Sequence, residues 1–577
     1  MQRPRIVAAS LAALLAVSLA PTIVTATPGG PLGHYKHLVV IYEENHSFDN
    51  LYGLWGSVGG EAVVGLPQAD RGVKQVAQDG STYDCLLQKD VNLTAPSPLP
   101  VTCGPETVTL GDGSSVTFSS HFANGPYGID PYIPATATTC PDRDHLFSFP
   151  NGLLNGTGLP GGCTRDLVHR FYQEQYQLDA GKQDRYVTGS DSAGMTMGYY
   201  DTTQLPVYRY LHANGAPHYV IADHFFQAAF GGSFLNHQYL IAAAPLPWAT
   251  ISATQHAILD ANGFPNATYP LYKPATAVRD SAGLQACSGA TVAGFACGDY
   301  AVNTVQPPYQ PTSPFGAQMP AATTPTIGDE MTAAGVSWAW YSGGWDNAAG
   351  IVGGRGWTNG PGPTCSDPNS APAATVGSAT GGYPFCPDKS FQTHHQPFNY
   401  FANYAPGTPG RSHLQDEQDF LFAAQTGTLP AVSFVKPLGI DNEHPGYTSE
   451  PKGSDHLVDL LQAVEDGPQA GNTLIVVTYD EFGGQWDHVP PPGMGTSGPS
   501  DEFGPGTRIP ALLLSRSFTT STVDHTVYDT TSILATIEHQ FGLAPVGAFT
   551  AGTVSVAARD GLVRDLGPAI SEGRRGH

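Results

Sequence analysis

Two apolar stretches that end in acidic residues decide the fold. His37-Leu-Val-Val-Ile-Tyr42 runs into Glu43-Glu44-Asn45, and Leu474-Ile-Val-Val-Thr-Tyr479 runs into Asp480-Glu481. Short, uninterrupted runs rich in β-branched residues are typical of strands that are buried on both faces. In open α/β sheets, ligands bind at the carboxyl ends of the strands. The sequence therefore predicts a parallel sheet that carries acidic residues at one edge.

Four further stretches have the same apolar, β-branched or aromatic character. They are residues 218–222, 336–340, 431–435 and 511–514. Between the strands, leucine and valine at helical spacing predict a helix from Ser454, as N-cap, to Gly467, and a second helix is expected at about 529–540. This alternation predicts an α/β fold with a mainly parallel central sheet flanked by helices.

The chain of 577 residues is acidic and rich in loop-forming residues. It has 49 acidic against 25 basic residues, a net charge of −24, with 68 glycines and 50 prolines. Nucleic-acid binders present a basic face, so this charge argues against a nucleic-acid partner. A small anionic substrate stays compatible with the charge, because a bound divalent cation can reverse the local field.

The N-terminus predicts export. Arg3 and Arg5 precede the apolar stretch 6–24, and small residues surround Ala26. This pattern is typical of a signal peptide over residues 1–26, which implies a secreted, extracellular or periplasmic, mature protein. An uncleaved anchor is the alternative, although polar residues interrupt a run that is barely long enough to span a bilayer. We expect no transmembrane segment in the mature chain.

Export gives the eight cysteines a meaning as disulfides. They occur as sequence neighbours in stretches rich in glycine and proline, which favours local pairing: Cys85–Cys103, Cys140–Cys163, Cys287–Cys297 and Cys365–Cys386. Thiolate ligation of a metal is the alternative.

The cysteine-containing segments also bear on domain organisation. The segments at about 60–165 and 265–395 hold all eight cysteines. We expect them to be disulfide-stapled insertions in a single catalytic domain of residues 27–577. A separate small disulfide domain is the alternative.

The two acidic strand ends are candidate metal ligands. Two buried strands that each end in hard oxygen donors could meet across a metal at one edge of the sheet. Gly483 and Gly484 follow the second acidic pair and would let two backbones approach closely. Either motif taken alone also fits a solvated acidic turn.

A serine after the predicted strand 218–222 is a candidate nucleophile. In Phe230-Gly231-Gly232-Ser233-Phe234 the serine could begin a helix, where free N–H groups favour a phosphoryl group and a developing alkoxide. A coordinated metal lowers the pKa of bound water, and we expect a hydroxyl to respond similarly. A Gly-Gly-Ser sequence alone also fits an ordinary cap or turn.

Four motifs follow one another along the chain. They are Glu44-Asn-His-Ser-Phe-Asp49, Gly-Gly-Ser233-Phe-Leu-Asn-His237, Glu443-His444-Pro445 and Asp480-Glu-Phe-Gly-Gly-Gln-Trp-Asp-His-Val-Pro-Pro-Pro492. Together they resemble the bacterial phosphoesterase family that holds acid phosphatases and non-specific phospholipases C. The resemblance extends from about His37 to Gly542. It implies a fold like that of alkaline phosphatases, in agreement with the α/β pattern.

The resemblance implies a role for each matching residue. The family's metal ligands match Glu44, Asn45, Asp480 and Glu481, and its nucleophile matches Ser233, which would form a phosphoserine intermediate. These ligands suit a divalent metal whose identity stays open among Ca, Mg, Mn, Fe and Zn.

Histidines complete the site that the resemblance implies. Those matched to phosphate binding or to protonation of the leaving group are His444, His395 and His169. Either His394 or His395 could face the site, and His169 could instead be a structural helix histidine. We expect His488 to orient the metal carboxylates from behind. The other histidines considered are interpreted as structural: His224, His237, His456 and His525.

The expected function is that of a secreted, metal-dependent acid phosphatase acting on small phosphomonoesters. Serine at 233 resembles the phosphatase branch, whereas phospholipase relatives commonly have threonine there and often carry a C-terminal extension; here about 35 residues follow Gly542. A phospholipase C acting on phosphodiester lipids is the alternative. A third reading is an inactive surface binding module on the same fold. Imidazolium groups at the site would favour activity at mildly acidic pH.

Overall fold

The computed structural model describes most of the chain. The described residues are 30–69, 72–87, 106–109, 115–118, 121–130, 135, 167–266, 271–272, 274–289, 291–310, 317–361, 364–371, 382–551 and 554–575. The predicted signal peptide lies outside them.

The described residues contain a central sheet of eight strands. In chain order these are β1 (His37–Glu43), β2 (Tyr219–Ala222), β3 (Trp338–Ser342), β4 (Leu414–Asp416), β5 (Val432–Lys436), β6 (Thr473–Tyr479), β7 (Ala511–Leu514) and β8 (Thr522–Asp524). Their order across the sheet is β4-β3-β5-β1-β6-β7-β2-β8. All neighbours are parallel except at β7, which runs antiparallel to β6 and to β2.

Along the chain, the α-helices lie between the strands of the central sheet, except the last two, which follow β8. They are α1 (Phe48–Leu51), α2 (Phe171–Leu178), α3 (Tyr186–Gly189), α4 (Pro206–Leu211), α5 (Ser233–Ala242), α6 (Ile327–Ala333), α7 (Trp345–Ala349), α8 (Glu417–Thr426), α9 (Glu450–Glu465), α10 (Thr531–Phe541) and α11 (Gly567–Arg574). This arrangement confirms the predicted α/β fold with a mainly parallel central sheet.

Short two-stranded ribbons accompany the central sheet. They pair Ser57–Val58 with Glu61–Ala62, Leu86–Leu87 with His121–Phe122, Glu106–Thr109 with Ser115–Phe118, Tyr127–Gly128 with Gly198–Tyr199, Phe225–Phe226 with Tyr528–Asp529, and Phe549–Ala551 with Val554–Val556.

The burial of β1 shows why its sequence is uniformly apolar. Leu38 to Tyr42 are each 0% exposed, so side chains that alternate between the two faces are all covered. β1 lies in the middle of the sheet, between β5 and β6. Because both faces are buried, the strand reads as a continuous apolar run rather than as alternation.

The helix predicted with Ser454 as N-cap begins five residues earlier, with Ser449 as N-cap. α9 starts at Glu450 after Ser449, with a proline in its first turn. Proline fits there because the first helical N–H groups have no partner within the helix. The hydroxyl of Ser454 is inside the helix and accepts the Val207 N–H at 3.1 Å instead of capping.

One predicted strand is shifted by the helix before it. β3 begins at Trp338 rather than at Val336. The Val336 N–H donates to the Met331 carbonyl at 2.9 Å, which closes the end of α6. β3 also shows that the segment 265–395 contributes a strand to the central sheet between β4 and β5.

Two of the predicted disulfides are confirmed. Cys287 bonds Cys297, and Cys365 bonds Cys386. Cys85 is also disulfide-bonded. The remaining predicted partners, Cys103, Cys140 and Cys163, lie outside the described residues.

No helix within the described ranges combines the length and the apolar character that crossing a bilayer requires.

An ion pair joins the two helices α8 and α9. His456 Nε2 lies 2.9 Å from Glu417 Oε1, and its side chain is 21% exposed. Burial opposes the charged imidazole, but the negative charge of Glu417 outweighs it and raises the pKa of His456 to about 9. As the pH rises, the unfolded chain releases this proton near its pKa of about 6.5, whereas the folded state keeps it on His456 to a higher pH.

We expect His456→Gln to lower the free energy of unfolding by on the order of 2 kcal/mol at pH 6. The raised pKa means that this stabilisation is fully present below about pH 6.5 and is lost as the pH rises through about 9. Urea unfolding at pH 6, 8 and 9.5 measures it, with the exposed His212→Gln as control. An equal deficit at all three pH values would contradict the ion-pair origin.

Candidate active site

The acidic ends of β1 and β6 meet at the middle of the sheet. The two strands pair in register up to Glu43 and Tyr479, so that Glu44 and Asp480 leave the sheet side by side. The Asp480 N–H donates to the Glu43 carbonyl at 3.1 Å, and the Asn45 N–H donates to Asp480 Oδ1 at 3.3 Å. The structure thus brings the two sequence motifs together, and both are fully buried.

Ser233 stands at the start of α5, as its sequence predicts. Gly232 is the N-cap residue, and the Ser233 hydroxyl donates to Glu481 Oε1 at 3.3 Å. A Cβ at Gly232 would come within 2.9 Å of the His169 ring and 2.7 Å of Thr304. Glycine is therefore needed before the serine because three segments converge there.

His169 lies on the same side of the site as Ser233. Its Nε2 is 3.2 Å from Glu481 Oε1, and its Nδ1 is hydrogen-bonded to the Leu167 carbonyl. It precedes α2 rather than standing on it, so it is not a helix histidine. Burial lowers the pKa of His169 to about 4.

A second group of side chains surrounds Glu44. His395 Nε2 lies 2.5 Å and Lys436 Nζ 2.7 Å from Glu44 Oε1, and His444 Nε2 lies 3.5 Å from Glu44 Oε2. His395 is thus the member of the histidine pair that contacts a predicted ligand, while His394 packs edge-on against it with ring centroids 4.6 Å apart.

The charges around Glu44 act against its burial. Burial alone would raise the pKa of Glu44, but His395, Lys436 and His444 hold it well below its usual range. Burial also lowers the pKa of His395, against the opposing effect of Glu44. Burial therefore works against a charged imidazole at His395 and at His169, and the imidazolium role of these residues stays a prediction.

Sequence reasoning missed Lys436. It is fully buried at the end of β5, where its ammonium donates to the Glu43 carbonyl at 3.0 Å in addition to pairing with Glu44. The ammonium also lies 5.1 Å from the centre of the Tyr42 ring. The rule applied to the acidic strand ends would have found it, because a charged residue directly follows the apolar run 431–435.

His237 was interpreted as structural but lies within the site. It stands one turn after Ser233 on α5, and its Nδ1 is 2.7 Å from the Ser233 carbonyl. Its ring stacks on that of His395 with centroids 5.3 Å apart. Its Nδ1 is also 3.8 Å from Asp480 Oδ2.

The donor set fits a divalent cation. Asp480 Oδ2 is buried and accepts no hydrogen bond from the described residues. Burial and the negative charge of Glu44 raise the pKa of Asp480 well above its usual range, a repulsion that a cation would offset. The oxygen donors at this edge are those that divalent metals bind: Glu44, Asn45, Asp480 and Glu481.

One group of ligand atoms at this edge differs from the predicted set. One ligand atom from each of Glu44, His237 and His395 lies within 4.8 Å of the other two. This triad shares Glu44 with the predicted ligands and adds two imidazoles. The assignment of Asn45, Asp480 and Glu481 as metal ligands stays a prediction.

His488 does not contact the acidic ligands as the sequence suggested. Its Nδ1 lies 2.6 Å from Asp49 Oδ2. The buried guanidinium of Arg508 donates to Asp49 Oδ1 at 3.0 Å and to Asp487 Oδ1 at 3.1 Å. Arg508 therefore joins the segment after β1 to the segment after β6, and His488 belongs to this ion-pair network.

Comparisons with known proteins show the family to which this chain is similar. A family model described as "Phosphoesterase family" matches residues 140–544, well over half of the chain. Phospholipase C A of Mycobacterium tuberculosis is 23% identical over 598 aligned residues, which cover 98% of this chain and 84% of the relative.

Other relatives match shorter parts. Phospholipase C B of Mycobacterium tuberculosis is 32% identical over 167 residues, 26% of this chain and 30% of the relative. Non-specific phospholipase C6 of Arabidopsis thaliana is 30% identical over 146 residues, 21% and 28% of the two chains. A solved protein in the alkaline phosphatase superfamily from Vibrio parahaemolyticus covers 42% of this chain and 50% of its own, with a TM-score of 0.21 and 12% identity.

Gly483 sets how closely the segment after β1 and the segment after β6 approach each other. Its φ is +63°, and a Cβ there would lie 2.1 Å from the Asn45 carbonyl oxygen. We expect Gly483→Ala to lower the free energy of unfolding by roughly 1–3 kcal/mol and to reduce phosphoesterase activity more than 10-fold, through both the backbone strain and the displaced ligand.

A matched glycine controls for the substitution itself. A Cβ added at Gly471 would have no atom within 4 Å, and Gly471 does not have a positive φ. We expect Gly471→Ala to change the free energy of unfolding by less than about 0.5 kcal/mol. Urea unfolding and hydrolysis of p-nitrophenyl phosphate measure both variants. Equal behaviour of the two would refute the close approach at Gly483.

Proposed function

This chain belongs to the Phosphoesterase family, and from that premise we propose that it is a phosphatase that hydrolyses phosphomonoesters through Ser233. The observation that carries the proposal is the contact of the Ser233 hydroxyl with Glu481 at the N-terminus of α5. The positive end of the α5 dipole favours phosphate beside this hydroxyl, although the Phe234 N–H already donates to the Thr304 carbonyl at 2.9 Å.

Glu44, Asn45, Asp480 and Glu481 are the residues that would hold a metal. When bound, a divalent cation would supply neutralisation of the phosphoryl oxygens and a lower pKa for the serine hydroxyl. The other demands of the reaction fall on positioning, because phosphoryl transfer needs little further covalent help from a protein.

The first step transfers the phosphoryl group to the protein. The Ser233 hydroxyl gives its proton to the Glu481 carboxylate, which already accepts a hydrogen bond from it. The serine oxygen forms a bond to phosphorus as the bond between phosphorus and the leaving oxygen breaks. His169, 3.2 Å from the same carboxylate oxygen, orients Glu481 for this transfer.

The leaving oxygen must be protonated from the opposite side. Attack on phosphorus is in line, so the leaving group faces away from Ser233 and its neighbours Glu481 and His169. The remaining histidines near the site are those around Glu44. His395 is held by Glu44 at 2.5 Å, whereas His444 is 3.5 Å away, and we assign His444 as the acid that gives its proton to the leaving oxygen.

The second step releases phosphate. Water attacks the phosphoserine and loses its proton to the imidazole of His444, the bond between phosphorus and the Ser233 oxygen breaks, and the serine oxygen regains a proton from Glu481. The protein thus returns to its starting protonation state. A phosphate dianion beside an imidazole favours its protonated form.

Phospholipase C activity on phosphodiester lipids is a second candidate, favoured by the comparisons. The relative aligned over 98% of this chain carries the name phospholipase C A, and the other relatives described above are also named phospholipases C. Serine at position 233 supports the monoester reaction. Both reactions use the same nucleophile and the same acid.

Replacing the nucleophile tests the shared chemistry. We expect Ser233→Ala to hydrolyse p-nitrophenyl phosphate more than about 1,000-fold more slowly than the parent. Its circular dichroism spectrum should match that of the parent. Mass spectrometry of acid-quenched parent protein should place phosphate on the peptide that contains Ser233. The control is Ser532→Ala, a buried serine in the first turn of α10 that bonds the Asp529 N–H, and it should stay active.

The outcomes separate the candidates. Unchanged activity in Ser233→Ala would refute the nucleophile. Cleavage of phosphatidylcholine by the parent, without hydrolysis of p-nitrophenyl phosphate, would replace the monoester proposal by the phospholipase C. If chelation left the turnover of both substrates unchanged, the requirement for a metal would be refuted.

The role of His444 predicts a dependence on the leaving group. Glycerol 2-phosphate has an alkoxide leaving group that requires protonation, whereas p-nitrophenolate requires little. We expect His444→Gln to slow the alkyl ester at least about 10-fold more than the aryl ester. The control is His169→Gln, which should slow both esters equally. Equal slowing of both esters by His444→Gln would contradict its role as the acid.

A further inference from the structure

Another pair of parallel strands at this edge of the sheet also ends in residues that can bind a metal. β2 and β8 pair in register up to Ala222 and Asp524. The residues that follow, Asp223 and His525, leave the sheet side by side, and the Asp223 N–H donates to the Asp524 carbonyl at 3.2 Å. The construction repeats that of β1 and β6 with a different set of side chains.

Two imidazoles converge on one buried carboxylate there. His224 Nδ1 lies 2.7 Å from Asp223 Oδ1, and His525 Nδ1 lies 2.9 Å from each oxygen of the same carboxylate. The ligand atoms of the three residues all lie within 4.8 Å of one another. Two histidines and one carboxylate are a donor set that late first-row divalent ions bind.

The surroundings hold these donors in orientation. The Val64 N–H donates to Asp223 Oδ2 at 2.8 Å. On the far side of the ring, His525 Nε2 lies 3.2 Å from Glu61 Oε1. A carboxylate that binds the second ring nitrogen of a histidine is the usual support of a metal-ligating imidazole, because it fixes the tautomer and the ring orientation.

Access and burial suit an ion taken up from solution. The carboxylate of Asp223 is fully buried, while the side chains of His224 and His525 are 20% and 41% exposed. An ion could therefore reach the Nδ1 atoms from outside and find the carboxylate as an inner ligand. Solvent can complete the coordination sphere.

We propose that Asp223, His224 and His525 form a second metal site, one that binds a zinc-like divalent cation separately from the phosphoesterase centre. The ion would lie between the two imidazole Nδ1 atoms and the Asp223 carboxylate, where each imidazole keeps one ring proton on Nε2 and an imidazolium releases its second proton to solvent. It shares no ligand with the catalytic residues. It would tie β2, β8 and the Ser57–Ala62 ribbon together.

Zinc binding to the full-length protein tests the site. Metal-free protein is dialysed against about 10 µM free Zn²⁺ at pH 7.5, and the bound zinc per protein is measured by inductively coupled plasma mass spectrometry. We expect H224Q/H525Q to bind one equivalent fewer than the parent and to keep the parent's hydrolysis of p-nitrophenyl phosphate. The zinc-dependent rise in Tm should shrink in this variant.

Two controls keep the result specific. His539 also contacts an aspartate through Nδ1, at 2.6 Å from Asp565, but belongs to none of the metal-compatible groups of the described residues. His539→Gln should bind as much zinc as the parent. Asp480→Asn should lose only zinc held at the catalytic centre. Equal zinc content in H224Q/H525Q and the parent, or a requirement for more than about 1 mM free zinc, would overturn the proposal.

Discussion

The in-register parallel pairing of β1 with β6 is the constraint on which the site depends. It delivers Glu44 and Asp480 to the same point, and both carboxylates are then removed from water. Like charges in a buried environment repel strongly, so this arrangement persists only if the rest of the fold holds it. The hydrogen bonds of the sheet fix the backbones, and Lys436 supplies a positive charge to Glu44.

Buried cations balance the buried acids at separate points. Lys436 pairs with Glu44, and Arg508 pairs with Asp49 and Asp487 behind the ligand segments. Both cationic side chains are fully buried in a chain whose net charge is −24. A surface of that sign repels a phosphate ester, so attraction has to come from inside the site. Fixed cations, helix N–H groups and a metal can supply it at short range.

The sequence predicts those features that depend on local pattern. Continuous apolar runs locate the strands, and the acidic residues directly after them identify the sheet edge where Glu44 and Asp480 meet. Glycines before Ser233 predict the start of α5. The helix boundary at Ser454 was wrong, because the proline-containing first turn and the Val207 contact are not visible as periodicity.

Residues whose roles arise from tertiary packing were harder to predict. His488 stands next to Asp487 in sequence, yet its partner is Asp49 across the ligand segments. His237 was treated as structural because one histidine on an apolar helix carries no signal, although it lies one turn from Ser233 and stacks on His395. The partners of such side chains are hundreds of residues away.

This separation also limits when the site can exist, since Asn45 and Asp480 are 435 positions apart. During synthesis on the ribosome, no amino-terminal portion that stops before β6 can hold both halves of the centre, so hydrolysis begins only after the polypeptide has been made and folded through Glu481.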